Sequence, residues 1–193
     1  GIGIAGSRGG IRLPENPVVI SFDDSLENNI LYALPILDKY SAKATFFAIA
    51  SYIVKDTLWN HKADKILKHM NEEEIKQLHL LGHEIGNHTL THQRITKLSN
   101  KQLIRELVES NAILTKLIGQ EPVSLAYPYG GVNQRCADIS RKYFKACFST
   151  VTEGYFDWTK DMANIRRIYV SPNDGKTELQ YKISRYLGEK QHE

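Results

Sequence analysis

Short apolar runs alternate with helical patterns along this chain, and that alternation sets the expectation for its fold. Val18-Val19-Ile20-Ser21-Phe22 reads as a buried strand introduced by Pro14 and Pro17, and Ala44-Thr45-Phe46-Phe47-Ala48-Ile49 as a second. Between them, residues 26–40 carry a helical pattern that Pro35 bends or interrupts. A helix is predicted over 71–81, where Asn71 and Glu74 have capping-box spacing and Gly82 closes the element. His83-Glu84-Ile85-Gly86 reads as a brief third strand. Ser99 with Gln102 opens a longer capped helix. Its apolar positions Leu103, Ile104, Leu107, Val108, Leu114, Leu117 and Ile118 keep a helical period up to Gly119. Ser124-Leu125-Ala126-Tyr127 is a fourth strand, 133–143 a helix and 145–151 a fifth strand. Arg167-Ile168-Tyr169-Val170-Ser171 makes a sixth, and 176–187 a closing helix. Strands separated by helices argue for an α/β fold built on a parallel sheet.

Bulk properties narrow the class without deciding it. The 193 residues show no repeat, linker or composition shift. The expectation is one domain over 16–193, preceded by a Gly-rich N-terminal extension over 1–15. The net charge of +3 is mild. Lys and Arg fall at spacings of solvated helix faces, with no basic stripe interleaved with aromatics, so no nucleic-acid partner is expected. No apolar run approaches the roughly 18 residues of a membrane span, and no signal peptide is visible. Cys136 and Cys147 read as two small core residues, one in a helix and one in a strand.

Two clusters carry the candidate chemistry. Ser21-Phe22-Asp23-Asp24 follows the first strand, and His88-Thr89-Leu90-Thr91-His92 follows the third. In a helical turn, residues i and i+4 share a face, so His88 and His92 can grip one cation together. An Asp from elsewhere would complete a three-ligand site with an open position, the pattern of a catalytic metal. A second Asp beside that ligand is placed to take a proton from water, which completes the minimum equipment of a metal-assisted hydrolase. Each cluster also has a plain reading: an Asp after a strand often caps a helix, and paired histidines can sit in a surface turn. Their joint appearance at strand ends is what favours the site, since parallel α/β barrels gather functional groups there. Tyr127-Pro128-Tyr129-Gly130 ends the fourth strand and is either a simple turn or a source of a backbone N–H aimed at an oxyanion. Trp59, Tyr155, Phe156 and Trp158 could offer sugar-stacking faces or pack in the core. His83 reads as a packing residue, and His61, His69, His79 and His192 as surface.

These motifs resemble the polysaccharide deacetylases of carbohydrate esterase family 4, the NodB-like group. Ser21-Phe22-Asp23-Asp24 looks like the family's Thr-Phe-Asp-Asp motif, His88-Thr89-Leu90-Thr91-His92 like its His-Ser/Thr-x-x-His motif, and Tyr127-Pro128-Tyr129-Gly130 like the end of its Arg-x-Pro-Tyr-Gly motif. Order and spacing match over about residues 16–150. The resemblance implies a distorted parallel (β/α) barrel and a divalent metal, usually zinc, held by Asp24, His88 and His92. It implies Asp23 as general base and the Tyr129 amide as an oxyanion donor. The expected substrate is an acetylated carbohydrate, with N-acetyl groups of a polysaccharide or oligosaccharide first. An O-acetyl ester of the xylan type, a small amide, or a silent carbohydrate-binding role are the alternatives. An extracytoplasmic address, periplasmic or secreted, is favoured by the same resemblance. Two motif positions depart. The motif arginine is Ala126, for which Arg166 or Arg167 could stand in, and no late Leu-x-His supplies the usual general acid. Asp157-Trp158 is only superficially similar to the family's late Asp–Trp motif.

Overall fold

The computed structural model describes residues 17–53, 58–60, 66–151 and 161–192. Six parallel strands form one sheet whose spatial order follows the chain: β1 (Ile20–Phe22), β2 (Ala44–Ala48), β5 (Glu84–Asn87), β6 (Ser124–Ala126), β7 (Ala146–Ser149) and β8 (Ile165–Arg166). A small antiparallel pair, β3 (Leu58–Asn60) and β4 (Ile66–Lys68), lies between β2 and β5 in sequence. Helices make the crossovers: α1 (Leu34–Lys39), α2 (Ala50–Ile53), α3 (Glu72–Leu80), α4 (Asn100–Ile118) and α5 (Gln134–Ser140), with α6 (Lys176–His192) at the end. No described helix is long and apolar enough to cross a membrane.

The sheet is strongly curled. Six strands laid flat would put their outer edges about 24 Å apart, at about 4.8 Å per step. Yet the Arg167 side chain, directly after β8, donates a hydrogen bond of 3.0 Å to Ser21 Oγ in β1. Such closure makes a half-barrel with helices outside, the expected distorted (β/α) architecture. β2 is buried along its whole length, because its two faces meet different layers. Phe46 points into the helix-covered core with Leu37, Ile75, Leu78 and Leu114. Phe47 points inward with Phe148 and Ile165.

Local sequence explains most boundaries. Asn71 and Ser99 both make full capping boxes, with Glu74 and Gln102 respectively, so α3 and α4 begin where their sequence signals stand. Five expectations need correction. The continuous helix over 26–40 is instead a π turn, Asn29–Ala33, running into α1. Pro35 sits in the first turn of α1, where its missing N–H costs no intrahelical bond. β1 is shorter than expected and is not buried: Val18, Val19 and Ile20 are exposed, because among the described residues this edge strand pairs with β2 alone. The sixth strand ends at Arg166 rather than running through 167–171. β7 stops at Ser149, whose carbonyl accepts the last ladder-like bond from Arg167 N–H at 2.9 Å. Finally, α4 is rotated relative to its apolar count. Ile104 and Val108 are partly exposed, while Glu106, Ser110 and Asn111 share the buried face with Leu103, Leu107 and Leu114. Cys136 in α5 and Cys147 in β7 are buried free thiols, as expected.

Candidate functional site

Asp24, one residue past Asp23 and two past the end of β1, has φ 71°, a left-handed conformation that an Asp tolerates better than most residues. The surroundings hold it there. His69 Nδ1 donates to the Asp24 carbonyl at 2.8 Å, and Met70 N–H donates to Ser25 O at 2.8 Å. Glu27 N–H donates to Lys68 O at 2.9 Å, so the chain leaving β4 pairs with the loop leaving β1. His69 is therefore buried against Tyr52, with ring centroids 4.8 Å apart, and is not the surface residue its isolated sequence context suggests. Nothing in its immediate neighbours signals that placement.

His88 and His92 do not sit on a helix. They lie in a loop after β5 in which Thr89 and His92 have positive φ, 66° and 57°. Short polar side chains direct this backbone away from helix. Asn87 Oδ1 accepts Thr89 N–H at 2.7 Å, and Thr89 Oγ1 accepts His92 N–H at 3.1 Å. The buried Glu106 of α4 accepts both Thr91 N–H, at 2.8 Å, and Thr91 Oγ1–H, at 2.6 Å. Ser110 ties Asn87 to the same helix with a contact of 2.8 Å. Gly86 is needed in β5 because a Cβ there would come within 2.4 Å of the Phe47 ring.

The predicted face survives by this different route. His88 Nε2 and His92 Nε2 lie 3.3 Å and 3.2 Å from Asp24 Oδ1, and the three ligand atoms are all within 4.8 Å of one another. His88 Nδ1 donates to Ala126 O at 2.7 Å, which fixes the ring and turns Nε2 toward Asp24. Asp24 Oδ1 is buried yet no hydrogen bond closes on it, so the three groups converge on a point between them. This donor set, two imidazoles and a carboxylate, suits a divalent cation such as zinc.

The electrostatics match. Burial would push His88 down, but the Asp24 contact and the charges of Asp23 and Asp24 outweigh it and raise the imidazole above its ordinary value. Burial and the neighbouring His88 push His92 down to about 4. Asp23 is held differently. Arg167 Nη1 and Nη2 each donate to one of its oxygens at 2.7 Å. Burial acts to raise the Asp23 carboxyl, but the Arg167 hydrogen bonds, helped by the charges of His88, Arg167 and His92, win and keep it below its ordinary value. Of the two arginines considered for the position vacated at Ala126, Arg167 makes this contact.

Tyr129 stands in a 3-10 turn, Pro128–Gly130, with φ 59°. Gly130 and Gly131 N–H close the turn onto Tyr127 O and Pro128 O at 2.8 Å and 3.4 Å, and the turn does not draw on the Tyr129 N–H. The Tyr129 ring is half-exposed and lies 4.7 Å from the His92 ring, at the mouth of the cluster. His83 packs edge-on against Phe46 and accepts Ala44 N–H at Nδ1, the packing role expected of it. Tyr155, Phe156, Asp157, Trp158 and His61 lie outside the described residues, as do the side chains of Trp59 and His192 and the whole extension over 1–15.

Comparison with known proteins decides the lineage. The family model for polysaccharide deacetylase matches residues 10–144. The chain belongs to the polysaccharide deacetylase family. Among curated members, it is 27% identical over 172 residues to the peptidoglycan-N-acetylmuramic acid deacetylase PdaC of Bacillus subtilis, covering 87% of this chain and 32% of that one. It is 29% identical over 140 residues to the poly-beta-1,6-N-acetyl-D-glucosamine N-deacetylase of Staphylococcus aureus, covering 68% of this chain and 46% of the relative. The chain thus spans about a third to a half of the curated relatives it matches. Among solved structures, the Streptococcus pyogenes deacetylase PplD in complex with acetate superposes with a TM-score of 0.73 at 25% identity, over 88% of this chain and 71% of that chain. The half-barrel is therefore the fold of this family.

Proposed function

We propose that this chain is a metal-dependent deacetylase that removes N-acetyl groups from an acetylated polysaccharide or oligosaccharide. The observation that carries the reading is the convergence of Asp24, His88 and His92 beside an Asp23 held by Arg167. Family membership and the acetate in the related PplD structure support the acetyl group as the one transferred to water.

Asp24, His88 and His92 would hold the cation, whose Lewis acidity serves to activate water and polarise the acetyl carbonyl. Asp23 accepts the proton of the water that attacks the acetyl carbon. The Arg167 fork orients both of its oxygens, and keeps the carboxylate ionised before each turnover. The Tyr129 N–H donates to the oxygen that becomes negative as the carbon turns tetrahedral. Collapse expels the sugar amine, which needs a proton. A carboxyl held below its ordinary value is a strong donor once protonated, so Asp23 returns the proton it took. This assigns both halves of the proton transfer to one residue.

The test is acetate release from N-acetylated glycan oligomers by the wild-type chain and by Asp23→Asn. Loss of about 10²–10⁴-fold with cation affinity retained supports Asp23 as the proton carrier. Unchanged acetate release removes it from the mechanism.

A further inference from the structure

The loop that carries Asp24 is held from a direction that the chemistry above does not use. Asp23 and Asp24 are adjacent, and in an extended strand adjacent side chains point to opposite faces. Here both carboxylates meet at one rim, Asp23 toward Arg167 and Asp24 toward the two imidazoles. Two consecutive left-handed residues allow this, Asp24 with φ 71° and Ser25 with φ 46°. Neither is glycine, so such a backbone persists only where its surroundings over-determine it.

The chain leaving β4 supplies that constraint. Lys68, His69 and Met70 run antiparallel to Ser25, Leu26 and Glu27, with His69 opposite Leu26. Two backbone bonds flank the pair, Glu27 N–H to Lys68 O at 2.9 Å and Met70 N–H to Ser25 O at 2.8 Å. The Lys68 ammonium adds an ion pair with Glu27 at 2.7 Å. Ser25 is fully buried, and its Oγ accepts Ile49 N–H at 3.4 Å, which ties the loop to the end of β2. One further bond reaches Asp24 itself. His69 Nδ1 lies 2.8 Å from the Asp24 carbonyl, and the imidazole is buried with its ring packed on Tyr52. A carbonyl oxygen only accepts, so Nδ1 carries the proton. We propose that His69 is a positioning residue, whose Nδ1–H fixes the left-handed Asp24 peptide and thereby sets the affinity of the cation site. This rests on the cation reading above and adds to it a residue from outside both ligand loops.

The experiment measures zinc binding to chelator-stripped protein by calorimetry, and denaturant unfolding of the same samples, in wild type and three variants. His69→Phe keeps a ring against Tyr52 and removes the donor. His69→Asn loses the ring but carries an N–H at the branch that Nδ1 occupies. His69→Gln carries its N–H one bond further, where Nε2 lies. The expected result is zinc affinity about 10–100-fold weaker in His69→Phe and His69→Gln, the usual effect of losing a group that orients a ligand. Most of that affinity should return in His69→Asn despite its lost packing. A purely structural histidine would lower unfolding stability without this order of affinities. Unchanged zinc affinity in His69→Phe overturns the inference and leaves the cation site standing. Should His69→Phe not fold, the two amide variants decide alone, and equal zinc affinity in them overturns the inference. Wild-type protein that binds no zinc overturns the cation reading and the inference with it.

Discussion

Arg167, one residue beyond the last strand of the sheet, grips Asp23, one residue beyond the first, with two hydrogen bonds of 2.7 Å. The contact joins residues 144 apart in sequence, and it is at once a seam of the half-barrel and the orienting bond of the proposed base. The Arg167 guanidinium lies 5.4 Å from the Phe47 ring centroid, so its approach is set from the inner layer of the core. Fold and chemistry therefore share one ion pair.

Replacing Arg167 with Met should move the pH dependence in a definite direction. Burial alone raises the Asp23 carboxyl, and Arg167 is the main group reversing that effect. Without it, Asp23 gains protons at higher pH, so the acid limb of kcat/KM shifts upward and the plateau falls about 10–100-fold. Stability reads the same protonation. In the wild type, the lowered carboxyl contributes stability that is present above 3.8 and lost as pH falls through its still lower folded value. In Arg167→Met that contribution is absent, so the two proteins converge in stability only in strong acid. A pH–rate profile and denaturant titrations at several pH values read both effects, and superimposable profiles would contradict the role given to Arg167.

Glu106→Ala should loosen the histidine loop without touching a ligand. The substitution strips Thr91 of both acceptors, at a cost of about 1–3 kcal/mol to folding. It should also weaken cation binding about 10–100-fold, the usual effect of removing a group that orients a ligand. Glu106→Gln keeps an acceptor oxygen and should lose less on both counts. Chemical denaturation together with zinc titration separates them, and a stability loss with undiminished affinity would restrict Glu106 to the core.

Much of this arrangement was legible in the sequence, and the exceptions have physical causes. The capping boxes at Asn71 and Ser99 and the glycine after each helix are local signals, and both helices begin at them. Asp24, His88 and His92 group together in the sequence because each follows a strand, and parallel strands deliver their ends to one rim. The geometry joining the histidines differs from the expected helix. A four-residue spacing suggests a helix face, whereas Asn87, Thr89 and Glu106 force a left-handed loop that reaches the same convergence. His69 and Glu106 escaped because their roles depend on partners 45 and 15 residues away, at Asp24 and Thr91, and no short window contains them. Val18, Val19 and Ile20 are strong β formers and predict a buried strand, but composition does not tell an edge from a centre.

Gly130→Ala should damage the Pro128–Gly130 turn proposed to present the Tyr129 N–H. Gly130 has φ 65°, and a Cβ there would come within 1.8 Å of Thr150 Oγ1. Both strain and overlap act on the residue after Tyr129, so its N–H is displaced as stability drops by about 1–3 kcal/mol. We expect kcat to fall with KM little changed, because the lost interaction belongs to the transition state. Thr150→Ala in the same chain removes the overlap and leaves the backbone strain, so it should restore stability only in part. Full activity in Gly130→Ala would remove the Tyr129 amide from the mechanism.

Asp24, His88 and His92 are proposed to make one functional cation site. Its most direct test is acetate release from an N-acetylated glycan oligomer, followed while zinc is titrated into chelator-stripped protein. Release should be negligible without metal, rise to saturation at one ion per chain, and show no rise in His88→Ala over the same range. Stripped protein that releases acetate at the full rate, or a His88→Ala variant that titrates as wild type does, would contradict it.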